Sequence, residues 1–307
     1  MRFAILGSGS KGNSLVIESG TTRLLIDAGY SPRETKARLE SLGLALTDLT
    51  ALLITHGHGD HVKGAKQLAG ALGLPTYTTA ETKRFTAAFG GIRNHVPVVA
   101  GTPFRVADLE IFPAATPHDA PGSVAYVVDN GDEVFGICTD LGAPAESVGA
   151  ALARCHALVL EFNHDSKMLK DGPYSAALKR RIGSPRGHLN NMDAARLLEL
   201  AARPHLTRVL LAHLSEVNNT PALALAAARS VIADPAIEVA IAPQHHPTGW
   251  LAVRRAGVGR PADSATVTAR APVAPLPPAA AALGVAHRAR ERQLALFSAS
   301  TTTTRSA

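Results

Sequence analysis

The chain has 307 residues, 46% apolar and 18% charged, an ordinary globular composition with ample length to bury a core. Its net charge of +6 is uneven: from Ala256 onward six Arg stand against one Asp and one Glu, a balance of +4, which leaves only +2 for the first 255 residues. Charge alone therefore does not imply a nucleic-acid groove in the body, and two cysteines, Cys138 and Cys155, exclude a disulfide framework and read as small buried apolar side chains.

The opening MRFAILGSGS lacks an export pattern, and no window approaches a membrane span, so it reads as the first strand of a soluble, cytoplasmic protein. The run TRLLID follows. Ser31-Pro32-Arg33-Glu34 then offers an N-cap Ser, a Pro at the first helical position and a Glu three residues after the cap, with Gly43 after the expected helix end. TALLIT leads into His56-Gly57-His58-Gly59-Asp60-His61, after which the pattern predicts a helix over 62–72. LEIF precedes ATPHDAPGS, which contains His118. YVVDN and EVFGICTD flank Asn130-Gly131, a type I′ hairpin signal. ALVLEF leads into Asn163-His164-Asp165, RVLLAH ends on His213, and EVAIA is the last run. Helices are predicted over 192–202 and 221–233. The near-continuous apolarity of the runs suggests strands buried on both faces, in a layered α/β domain that is mixed because it contains a hairpin.

Composition shifts near Arg255, where PADSATVTARAPVAPLPPAAAALG is too poor in large apolar residues to pack. A domain is expected over 1–255 and a disordered tail over 256–307. Inside that tail RQLALFSAS concentrates three large apolar side chains, Leu294, Leu296 and Phe297.

The polar clusters follow strand-like runs, so they could converge on one edge of the layers, where loops project functional groups. HGHGDH is the strongest of them. Imidazole suits Zn, Fe and Mn, and a neighbouring carboxylate allows a harder ion; two metals about 3.5–4 Å apart would need roughly this many ligands and a bridging carboxylate.

The sequence here resembles the metallo-β-lactamase fold superfamily, whose hallmark is His-x-His-x-Asp-His after a strand, and the resemblance covers essentially all of 1–255. It implies a four-layer αββα sandwich with metals on one edge of the two sheets. Asp27 in LLIDAG matches the family's Asp that orients the His loop. By position, His56, His58 and His118 would hold one divalent ion (Zn or Mn), and Asp60, His61 and His213 the other, with Asp140 bridging. Asp60 is counted among the catalytic residues as well as the ligands. GSGSKGNS, NHDSKMLKDGPYSAALKRRIGSPRGHLNN and LAHLSEVNNTP look like the YycJ/WalJ-type exonucleases. There are departures: Gly57 and Gly59 stand where relatives often have larger polar residues, and Asn190, in place of a more usual Ser, is expected at most to touch substrate.

Only 72 residues separate Asp140 from His213, too few for a β-CASP insertion. The long arm of a tRNA-processing relative is not found, and a class B β-lactamase usually places Cys where Asp140 stands. The expected activity is a metal-dependent phosphodiesterase, a DNA exonuclease in replication-linked repair that uses a two-metal bridging hydroxide. The alternatives are a glyoxalase II-like thioesterase and a non-catalytic DNA or clamp adaptor. His188 is the first candidate for the general acid, and His164 oriented by Asp165 the second; either histidine could instead be structural. Lys167, Lys170, Lys179, Arg180, Arg181 and Arg186 could track a phosphate backbone or form a solvated helix face. Tyr174 is read as core packing in preference to base stacking. Gln293-Leu294-Ala295-Leu296-Phe297 resembles the peptide with which bacterial replication proteins dock on the sliding clamp, with Gln293, Leu294, Leu296 and Phe297 as contacts and the Pro/Ala stretch as tether. The other reading is a short helix docking on its own domain. The partners expected are thus DNA and the clamp, with no membrane.

Overall fold

The apolar runs pair into two seven-stranded sheets in the computed structural model of the chain, which describes residues 1–256, the side chains of 88 and 89 excepted. The first sheet takes β1 (Arg2–Gly7), β2 (Ser14–Ser19), β3 (Thr22–Ile26), β4 (Ala51–Leu53), β5 (Thr76–Thr79) and β6 (His95–Val98). The second takes β7 (Phe104–Val106), β8 (Leu109–Ala115), β9 (Val124–Asp129), β10 (Val134–Cys138), β11 (Ala157–Glu161), β12 (Arg208–Ala212) and β13 (Glu238–Ile241). β14 (Leu251–Ala252) returns to the edge of the first sheet, antiparallel to β1. Each sheet is half parallel and half antiparallel. In the first, β3 through β6 run parallel; in the second, β10 through β13 do.

The runs are apolar throughout because both of their faces are covered. Phe135 and Ile137 of β10 and Val159 of β11 pack between the sheets against Ile5, Leu15 and Ile26. Leu158 and Leu160 face the other way, onto buried residues of α5 (Glu146–Leu152), α8 (Asn191–Ala201) and α9 (Pro221–Arg229). α1 (Pro32–Glu40) packs near β1 on the first sheet. Helices flanking two mixed sheets give the expected αββα layers. Cys138 and Cys155 are buried and unbridged, as expected.

Ser31 and Glu34 form the capping box that opens α1. The helix predicted over 62–72 is instead two, α2 (Gly59–Val62) and α3 (Ala65–Leu72), because the Gly64 N–H leaves the helical ladder to donate to Ala28 O at 2.8 Å. The one predicted over 221–233 stops at Arg229. Asn130-Gly131 does lie in a hairpin, but not in a two-residue type I′ turn. Asp129 pairs with Val134 across a four-residue loop in which Gly131 has φ +92° and Asn130 Oδ1 accepts from the N–H groups of Asp132 and Glu133. Asn190 caps α8: its Oδ1 accepts from the N–H groups of Met192 and Asp193 at the start of the helix, a role Asn and Ser fill equally well. The helices α4 (Ala80–Phe85), α6 (Ser166–Asp171) and α7 (Ala176–Ile182) complete the described fold. Residues Gln293, Leu294, Leu296 and Phe297 lie outside the described residues, as does the expected tail beyond 256. Among the described residues, no helix is long and apolar enough to cross a membrane.

Candidate metal centre

Ligands in open α/β sheets bind beyond the carboxyl ends of parallel strands, and the polar clusters gather at such ends here. Asp27 follows β3, the HGHGDH loop follows β4, Asp140 follows β10, Glu161 ends β11 and His213 follows β12. Asp27, Asp140 and His213 adopt the left-handed backbone, with φ of +57°, +62° and +54°. Each such residue costs about 1–2 kcal/mol, and at these positions the turn aims a side chain across the sheet ends.

Four histidines share one arrangement: an outer ring nitrogen is bonded to protein and the other is turned inward. His61 Nδ1 lies 2.7 Å from Asp27 Oδ2, and His56 Nδ1 3.1 Å from Thr55 Oγ1. His118 Nδ1 lies 2.9 Å from Gly187 O and His213 Nδ1 3.1 Å from Glu161 Oε1, whereas His58 Nε2 stands 3.1 Å from Asp119 Oδ1 without a hydrogen bond. Such outer bonds fix the tautomer and leave a lone pair for a cation. Asp27 is itself held, its two oxygens accepting from the Thr55 N–H and hydroxyl at 2.8 Å each. The inward atoms converge. His58 Nδ1 and His118 Nε2 stand 3.1 Å apart, close to the roughly 3.3 Å edge of a tetrahedral zinc site.

The potential ligand atoms fall into groups: His56, His58 and His118; Asp60, His61 and His213; His56, His61 and Asp140; and Asp140, Glu161, His188 and His213. The structure thus brings together all seven residues expected as ligands. His56 Nε2, His213 Nε2 and Asp140 Oδ2 are buried with no hydrogen-bond partner. Buried polar atoms are seldom left so, and all three belong to residue groups whose ligand atoms lie close enough to hold a divalent cation.

The electrostatics agree. Burial and the neighbouring imidazoles keep His56, His58 and His118 below the usual histidine range, neutral and able to donate a lone pair. His61 and His213 behave oppositely. Burial disfavours their charge, but Asp140, with Asp27 and Asp60 around His61, raises His61 well above its usual value, and Asp140, with the Asp60 and Glu161 carboxylates beside it, pushes His213 up to about 10. Without a cation these two rings carry protons at pH 7. Zinc uptake should therefore release protons, and its affinity should rise with pH until His213 has lost its own. Calorimetry in buffers of different ionisation enthalpy reads this directly; a heat independent of buffer contradicts it. Asp27→Asn keeps only one accepting oxygen, and should weaken metal affinity by about 10- to 100-fold in a competitive chelator titration. Unchanged affinity would show that His61 needs no such hold.

Beside the ligands lies a cavity of about 460 Å³, lined among others by Asp60, Asp140, Asn163, His188 and His213 below and by Tyr174, Leu178 and Arg181 above. His188 Nδ1 sits 2.8 Å from Glu161 Oε1, while Glu161 Oε2 accepts from the N–H groups of Leu141 and Leu189 at 3.1 and 3.3 Å. Burial would raise the Glu161 carboxyl, but His188 beside it and the bonds from His188 and His213 hold it at about 2. Burial opposes charge on His188 too, yet Glu161 raises it above the ordinary histidine value.

The second expected acid is not assembled. Asp165 Oδ1 accepts from Met168 N at 2.8 Å as the cap of α6, and His164 Nδ1 lies 3.3 Å from Asn163 Oδ1 instead. Burial pulls His164 down to about 4, and neither residue lines the cavity. Tyr174 is not core: it is half-buried and lines the cavity. Of the six basic residues, only Arg181 lines the cavity; Lys167 pairs with Asp171 at 2.8 Å and Lys179 donates to Lys170 O at 2.7 Å. A Cβ at Gly57 would lie 2.5 Å from Phe85 Cδ1, so an aromatic ring occupies the room a larger residue would need. Sequence reasoning missed Glu161, Asn13 and Asp119. Asn13 donates to Asp60 Oδ2 at 3.2 Å, tying GSGSKGN to the centre. Glu161 had a signal: a carboxylate closing an apolar run, at a period-two step from Val159, must face the inner side.

Residues 7–213 match the family described as the metallo-beta-lactamase superfamily. The chain belongs to that superfamily, and with this centre it is a metal-dependent hydrolase. It is 32% identical over 254 residues to exodeoxyribonuclease YycJ of Bacillus anthracis, a match covering 81% of this chain and 95% of that protein. Exodeoxyribonuclease WalJ of Streptococcus pneumoniae is 31% identical over 229 residues, 73% and 85% of the two chains. The solved structure of YhfI, a metallo-beta-lactamase fold protein from Bacillus subtilis, matches with a TM-score of 0.60 at 19% identity, over 81% of this chain and 99% of its own. That likeness concerns the fold.

Proposed function

We propose that the chain is a phosphodiesterase acting on DNA as an exonuclease, with two divalent ions, Zn or Mn. His56, His58 and His118 would hold one, and Asp60, His61 and His213 the other, with Asp140 between them. Bound there, the ions would supply Lewis acidity and a water acidic enough to ionise near neutral pH.

The observation that carries this reading is the Glu161–His188 pair on the cavity side of the ligands. A buried carboxylate holds Nδ1 of an imidazole whose proton affinity it raises, which leaves Nε2 to serve as a proton donor. A sugar alkoxide needs such a donor to leave. A thiolate, from a thiol of pKa about 8.5, does not. The set therefore favours a phosphodiester over a thioester, and relatives named as exodeoxyribonucleases, matched over most of their length, point the same way. Single-stranded DNA, duplex DNA and S-lactoylglutathione assayed side by side separate the readings. Turnover of DNA alone supports the nuclease, and turnover of the thioester alone refutes it. A chain that binds DNA and metal but turns over neither substrate is an adaptor.

Docking of Gln293, Leu294, Leu296 and Phe297 on a sliding clamp, and with it replication-linked repair, stays part of this reading on sequence grounds. Phe297→Ala should abolish clamp binding in surface plasmon resonance and leave cleavage of short oligonucleotides unchanged. Undiminished binding would remove the docking role.

A further inference from the structure

Helix α7 contributes no buried residue to the fold, and one of its faces lines the cavity. Leu178, Arg181 and Ile182, spaced i, i+3 and i+4, line the cavity together with Tyr174 just before the helix. Such a face ordinarily packs into a core; here it roofs the metal centre. Among the described residues the Tyr174 ring has neither a hydrogen-bond nor a ring partner, and its half-buried surface is left to the cavity. Arg181 is anchored on the ligand side, where Nε donates to Asp119 Oδ2 at 2.6 Å and Nη2 lies 3.5 Å from His58 Nε2, and the side chain is 58% exposed. The exposed edge of its guanidinium is thus available to an anion. The roof presents a flat aromatic, an aliphatic side chain and a guanidinium, the complement of a base joined to a phosphate. The volume of about 460 Å³ suits a single small-molecule-sized unit and not a duplex.

We propose that Tyr174, Leu178 and Arg181 form the subsite for the terminal nucleotide of the strand being degraded, with its base against Tyr174 and Leu178 and a phosphate on Arg181. Asp119 holds the guanidinium in place beforehand. This rests on the nuclease reading above. A strand end must then enter as one unpaired nucleotide, so the roof selects ends over continuous duplex.

The test uses the full chain loaded with Mn, and Arg181→Met, Arg181→Lys and Tyr174→Leu variants, which the fold should tolerate because none of these side chains is fully buried. Two readouts are taken: steady-state degradation of a single strand, and binding of 2-aminopurine deoxyribonucleoside 5′-monophosphate followed by its fluorescence. Arg181→Met should raise KM and the probe's Kd about tenfold or more with kcat within about threefold, and Arg181→Lys should recover part of the loss. Tyr174→Leu should abolish the quenching that stacking produces and weaken binding about fivefold or more. If the wild type degrades DNA while the variants keep its KM, Kd and quenching, or lose kcat alone, the subsite is wrong. If the wild type itself degrades no DNA, it is the nuclease reading that has failed, and the subsite falls with it.

Discussion

His188→Ala is expected to lower kcat on DNA by about 10²–10⁴-fold, the usual range for loss of a positioned general acid, while leaving metal content unchanged. The same variant should lose less than about tenfold on bis(p-nitrophenyl) phosphate, because p-nitrophenolate leaves without a proton. The split follows from where His188 stands. Its Nδ1 is engaged by Glu161 at 2.8 Å, and the ring is half-buried at the cavity wall. Glu161→Gln should reproduce the pattern and also shift the alkaline limb of the pH profile. With Glu161 present, His188 is raised above its ordinary value and keeps its proton as the pH climbs toward neutrality. Without the carboxylate it loses that proton at lower pH, so activity on DNA should fall off at lower pH in the variant. Equal losses on both substrates would instead make His188 a metal ligand, as its place in the group with Asp140, Glu161 and His213 allows.

Asp140→Ala should remove the metal-dependent activity, with a loss of about 10³-fold or more in kcat, and Asp140→Asn, which keeps the shape, should do nearly the same. Asp140 is buried, and its Oδ2 stands 3.2 Å from His61 Nε2 while Oδ1 stands 3.3 Å from His213 Nδ1. Burial works against its charge, but His213 and His61 hold its carboxyl well below the usual range, so it is an anion ready for a cation. The stability consequence is as large. A cation at about a thousand times its Kd stabilises by about 4 kcal/mol, and at roughly 2–4 °C per kcal/mol for a body of this size the wild type should gain about 8–16 °C in Tm on loading. Chelation should reverse the gain, and Asp140→Asn should show little of it. A Tm indifferent to metal in the wild type would mean that the cluster does not hold one.

The layers were legible because both-face burial writes itself as uninterrupted apolar runs, as in ALVLE and RVLLA, and the ligands because HGHGDH is dense and local. What the sequence left dark is what depends on tertiary pairing. Glu161 reads as the end of a strand until β11 sets it beside His188, 27 positions away in the chain. Asp119 reads as a loop residue until the fold places it between His58 and Arg181. The pairing of His164 with Asp165 looked reasonable in a tripeptide, but the start of α6 claims the carboxylate as a cap. Tyr174 looked like core because nothing local distinguishes an aromatic under a roof from one in a packed layer.

The most direct test of a metal-dependent exonuclease uses DNA labelled separately at its 5′ and 3′ ends, incubated with the Mn-loaded chain and with Asp140→Ala. Stepwise loss from one end with the wild type only is the predicted result, and it fixes the polarity at the same time. Intact DNA from a wild type shown to have its metals bound would contradict the account.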